Sequence, residues 1–100
     1  MTLKTNKKFK QGLALFNKEK YFECHELLES LWKETKDIEL KKFYQGIIQL
    51  AVCMHLLQEK RYAGAEKVFK RAEENLEHQN NFFFNPKEII LKVRKSLIMS

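Results

Sequence analysis

The stretch FYQGIIQLAVCMHLL, residues 43–57, constrains the fold more than any other part of the chain. Stepped at 100° per residue, Phe43, Tyr44, Ile47, Ile48, Leu50, Ala51, Val52, Met54, Leu56 and Leu57 leave almost no side of a helix polar. A helix that is apolar on nearly every side is central in its domain, because each side must be covered. Within it, GIIQLAVCMHLL falls short of the roughly 20 residues that span a bilayer, and it carries Gln49 and His55. No membrane segment is therefore expected. Three Gly and one Pro are too few for an all-β design with many tight turns, and Lys, Glu and Leu favour helices. One hundred residues suit one domain around one core. The expectation is a single helical domain over residues 1–100.

Periodicity predicts five helices. The first starts at Thr5 or Asn6, either of which can cap it, and runs to about Asn17. Phe9, Leu13 and Phe16 form its apolar face, and Gly12 permits close approach by a neighbour. After the connection NKEK, the second helix is YFECHELLESLWKET, residues 21–35. The third starts after Asp37 and ends near Gln58. The fourth runs from Tyr62 to about His78 on a stripe of Ala65, Val68, Phe69, Ala72 and Leu76. QNNFFFNP follows, and its Phe82, Phe83 and Phe84 are expected to close an end of the bundle or to form a dimer contact. The fifth helix has Asn85 as cap and Pro86 in its first turn, with Ile89, Ile90, Val93, Leu97 and Ile98 as its face. LFNKEKYFEC and LLQEKRYAGA also echo one another across the chain, matching Leu15 with Leu56 and Tyr21 with Tyr62. Each is a helix end, a basic connection and a Tyr opening the next helix. The fold class is all-α: two helical hairpins plus a C-terminal helix.

The net charge of +6 is concentrated at the ends. Residues 1–20 hold six Lys against Glu19, and residues 86–100 hold Lys87, Lys92, Arg94 and Lys95 against Glu88. Such ends can attract phosphate or an acidic partner. No nucleic-acid motif is present, so nucleic acid is not expected as a partner. Cys24 and Cys53 sit in apolar helical patterns without a Cys-x-x-Cys, and the N-terminus lacks a signal-peptide core. The reading is a reducing, cytoplasmic location.

The combined pattern resembles the family known as domain of unknown function 309. Its residues here are Phe9, Gly12, Phe16 and Asn17; then His25, Glu26, Leu28, Glu29 and Trp32; then Gln45, Gly46, Ile48, Gln49 and Ala51; then His55, Gly64 and Ala65. The resemblance runs from residue 9 to about 76. It implies a compact helical domain and implies no reaction.

The candidate functional residues are His25, Glu29, Trp32, Gln45, Gln49 and His55. On the second helix, His25 and Glu29 share a face at the edge of the apolar sector, beside Trp32. Gln45 and Gln49 share a face of the apolar central helix, where a buried amide without partners costs about 1–3 kcal/mol. Three readings of this cluster compete. A metal site would use His25 and Glu29 as two ligands, and Gln45, Gln49 or His55 could add ligands from the central helix; one His and one carboxylate alone are fewer than the four ligands of a closed zinc site. An acid/base enzyme would use the imidazole poised by the carboxylate, but it needs a nucleophile or water and an oxyanion site as well. The third is a structural polar network in which Glu29 accepts from His25 or from a Gln of the central helix and locks the second and third helices together. That reading makes the chain a non-enzymatic interaction or scaffold domain with an unknown protein partner, able to form a homodimer. No metal, catalytic residue or cofactor is assigned. A solvent-open cleft would favour the enzyme, and a closed, dry packing would favour the scaffold.

Overall fold

The computed structural model describes residues 6–77 and 84–100. Five helices follow in order: α1 Lys7–Asn17, α2 Tyr21–Glu34, α3 Ile38–Gln58, α4 Tyr62–Leu76 and α5 Lys87–Met99. No strand occurs among the described residues. Three helix starts are fixed by side chains that satisfy otherwise orphaned backbone donors. Asn6 Oδ1 accepts from the Lys8 N–H at 2.8 Å, and Asp37 Oδ1 accepts from the Leu40 N–H at 2.9 Å. Asn85 Oδ1 accepts from the Lys87 N–H at 3.0 Å, and Pro86 is already helical between them. The fourth helix ends at Leu76, earlier than its periodicity suggested. His78, Phe82 and Phe83 lie outside the described residues.

The echo in the sequence is an echo in the backbone. Among the described residues, Glu19 and Lys60 are the two non-glycine positions with positive φ, at 62° and 61°. Each lets the next N–H reach back into its helix: Lys20 donates to the Leu15 carbonyl at 2.9 Å, and Arg61 to the Leu56 carbonyl at 2.8 Å. Both are Schellman closures made without the usual glycine. Gln58 Nε2 donates to the Glu19 carbonyl at 3.3 Å and ties the end of α3 to the first turn.

α3 is the central element, flanked by α2 and α4 and touched by α5, while α1 packs on α2. Phe43, Ile47, Leu50, Ala51 and Cys53 on it are fully buried. Two glycines set the helix spacing. A Cβ at Gly12 would lie 2.5 Å from Leu28 Cδ2, and one at Gly46 would lie 2.5 Å from Leu76 Cγ. Phe84 closes one end, with its ring 5.2 Å from that of Phe9 and 6.1 Å from that of Phe43. On α5 the packed face is narrower than expected. Ile89 and Val93 are buried, but Ile98 is 75% exposed. Five residues advance the helix by about 140°, which turns Ile98 away from the side that Val93 buries.

Candidate functional site

α2, α3 and α4 do not close completely against one another. Between them lies a solvent-open cleft of about 450 Å³. α2 contributes His25, Glu29 and Trp32, α3 contributes Gln45, Ile48, Gln49 and Val52, and α4 contributes Val68 and Arg71. Five of the six residues singled out in the sequence therefore share one wall-and-floor arrangement. His55 is the exception. It lies six residues beyond Gln49, about 240° around the helix, and so faces elsewhere. Its Nε2 is 3.6 Å from Glu59, and its ring is 5.8 Å from that of Phe22.

Of the two partners expected for Glu29, the structure gives it His25 and not a Gln of α3, so the pair does not clasp α2 to α3. His25 Nε2 lies 3.0 Å from Glu29 Oε2, within α2 itself. The other Glu29 oxygen is 3.6 Å from Lys33 Nζ. The i,i+4 spacing brings these groups together on one helix surface without any reach across the seam. Gln49 Oε1 accepts instead from Asn75 Nδ2 on α4, at 2.7 Å. Among the described residues no hydrogen bond joins Glu29 to Gln45 or Gln49. The side chains of His25 and Glu29 are 29% and 44% exposed, so their remaining hydrogen-bonding capacity is open to solvent. Trp32 borders the cleft with Lys41 Nζ 4.1 Å from its ring centroid.

Arg71 and Asn75 are the site residues that sequence reasoning passed over. A signal was present: Val68, Arg71 and Asn75 follow at steps of three and four, along the edge of the α4 stripe. Among the described residues no group of three or more His, Cys, Asp or Glu side chains comes together. The cleft itself offers one imidazole and one carboxylate to a metal. Its described lining holds no hydroxyl or thiol nucleophile. Cys24 and Cys53 are buried away from it, and burial pushes their thiols up to about 12 and about 11. They are neutral packing residues rather than thiolates. No helix among the described residues is long and apolar enough to cross a membrane.

Residues 9–68 match the family described as Domain of unknown function (DUF309). The match covers every cleft residue except Arg71. The chain is 44% identical over 48 residues to the uncharacterized protein YpuF of Bacillus subtilis (strain 168), covering 48% of this chain and 28% of that protein. It is 32% identical over 63 residues to an uncharacterized protein of Aquifex aeolicus (strain VF5), covering 63% of this chain and 19% of that protein. The chain thus spans less than a third of the length of these relatives. Among solved structures, a conserved hypothetical protein from Thermus thermophilus has the same helical fold. Its TM-score is 0.79 at 25% identity, over 89% of this chain and 94% of that one.

Proposed function

This chain belongs to the DUF309 family, and we propose that it acts there as a single, non-enzymatic interaction domain that docks a protein partner in the α2–α3–α4 cleft. One observation carries the reading: the cleft holds polar side chains that the fold itself does not use. Gln45 and Arg71 have no hydrogen-bond or ion-pair partner among the described residues, yet they stand beside an apolar floor of Ile48, Val52 and Val68. Polar groups that serve the fold are generally satisfied by it. These groups are left to water, which a partner can replace. The His25–Glu29 pair lies within α2, whereas the Gln49–Asn75 pair joins α3 to α4, and in this reading that second pair holds the walls in position. The cleft volume also falls in the range of ligand sites, roughly 300–1,000 Å³. Two buried cysteines that are free thiols support a reducing, cytoplasmic location. The outward edge of α5, where Leu91 is 57% exposed and Met99 75%, is the surface this reading gives to a second copy.

The test is site-specific crosslinking in cells. A photoreactive amino acid replaces Val68 in the cleft or, as a control, exposed Lys67 on the same helix. An adduct formed from position 68 and absent from position 67 supports docking in the cleft. Equal adducts from both, or none from position 68, contradict it.

By the criterion drawn from the sequence, the open cleft favours a second reading, an acid/base or metal-dependent enzyme using His25 and Glu29; against it, the described lining offers one imidazole, one carboxylate and no hydroxyl or thiol nucleophile. A ligand bound only by the folded state adds about 2.7 kcal/mol at 100 times its dissociation constant. A rise in melting temperature with zinc or manganese that disappears in Glu29→Gln would move the assignment to that reading.

A further inference from the structure

Gln45 and Gln49 enter the cleft one helical turn apart. Four residues of helix advance about 6 Å. An extended chain turns a peptide group to the same side at every second residue, about 6.6–6.8 Å apart. The two repeats agree to within about 1 Å, so two carboxamides on α3 can meet alternate peptide groups of an extended segment. A carboxamide offers one acceptor and two donors, and so matches both halves of a peptide group. Gln45 is free to use all of them. Gln49 gives its oxygen to Asn75 at 2.7 Å and keeps its NH₂ for a carbonyl.

The charges around the α3 pair are unequal. α4 brings Arg71, exposed and without an ion pair among the described residues. α2 brings Glu29, already shared between His25 at 3.0 Å and Lys33 at 3.6 Å. A guanidinium pairs with a carboxylate through two parallel hydrogen bonds, whereas Glu29 repels one. Arg71 therefore offers an acidic side chain a favourable place against α4. Ile48 and Val68 supply the apolar surface beside it.

We propose that the cleft binds an extended peptide segment, with its backbone held by Gln45 and Gln49 and one acidic side chain held by Arg71. This rests on the docking reading above and names the chemistry of what docks. Recognition is by strand-like backbone pairing, with specificity set by one charge on the α4 wall.

The test selects phage-displayed random heptapeptides on the immobilised full chain. Enriched sequences are then synthesised and titrated while Trp32 emission is followed, since Trp32 is the one tryptophan and lines the cleft. The expected result is Asp or Glu enriched at one position. Arg71→Ala should weaken the selected peptides about tenfold to a hundredfold, the range for a charge-assisted pair. Arg71→Glu should shift the preference at that position to Lys or Arg. Gln45→Ala should weaken every selected peptide, whatever residue stands at the acidic position. Arg71 is exposed, so its variants should keep the wild-type circular dichroism. An acidic preference that survives Arg71→Glu overturns the proposal. Selected peptides without an acidic position also overturn it. If those peptides still change Trp32 emission and lose affinity in Gln45→Ala, docking in the cleft stands and only the ligand class falls. No enrichment over background overturns the peptide ligand, and the crosslink from position 68 then decides separately whether the cleft docks anything.

Discussion

Phe43 and Gln45 are two residues apart on one helix and serve opposite purposes. Phe43 is fully buried, its ring 5.6 Å from Phe9 and 5.8 Å from Tyr44, in an end closed by Phe84. Gln45 faces a cleft open to water. Two residues turn the helix by about 200°, so one side of α3 carries the stability and the other is available for something else. The difference teaches how to separate fold from function in this chain. Residues whose contacts are complete belong to the first. Residues with unspent contacts belong to the second.

The contrast is sharpest at the closed end. Phe43→Ala should cost about 3–5 kcal/mol, the range for emptying an aromatic site in a packed core. Urea unfolding checks this, and a loss below about 1 kcal/mol would mean that the closed end is no more packed than the cleft. High pH should also act through the core. Burial pushes Cys24 up to about 12 and Cys53 to about 11, from an ordinary value near 9. On raising the pH, the unfolded chain therefore releases these protons first. Stability is intact below about pH 9 and declines through pH 11–12, by a few kcal/mol for the pair of thiols. Unfolding at pH 7 and pH 11 in wild type and Cys53→Ala measures it, and the variant should show the smaller decline.

Smaller effects probe the helix spacing on which the cleft depends. Gly46→Ala puts a methyl group 2.5 Å from Leu76 Cγ. Alanine gains helix propensity, but overpacking of about 1–3 kcal/mol should win and push α4 outward. A stabilised Gly46→Ala would show that α4 yields freely. Lys60→Gly should do the reverse at the second turn. It relieves a left-handed non-glycine residue and should add about 0.5–1 kcal/mol, read as a higher midpoint in urea.

Much of the fold was legible in the sequence because it rests on local chemistry. Asn6, Asp37 and Asn85 mark helix starts by what their side chains can accept, and the Tyr21 and Tyr62 echo marks two turns of one design. The central place of α3 follows from its lack of a polar side. What was not legible depends on distance rather than angle. A helical wheel places His25, Glu29, Gln45 and Gln49 toward one seam, but it cannot give the width of that seam, which the Gly46–Leu76 contact helps to set. For the same reason the wheel did not show that Gln49 would meet Asn75 rather than Glu29. His55 and Ile98 are different, since their angles alone excluded them from the faces to which residue type assigned them.

The measurement that tests the central claim most directly is urea unfolding of Glu29→Ala and Gln45→Ala beside wild type. The cleft is held to be a docking surface whose polar groups the fold can spare. Both variants should then unfold within about 0.5 kcal/mol of wild type, as substitutions away from the core do. A loss of about 1–3 kcal/mol in either would show a buried partner left unsatisfied. That result would contradict the open docking cleft and make the cluster a clasp between helices.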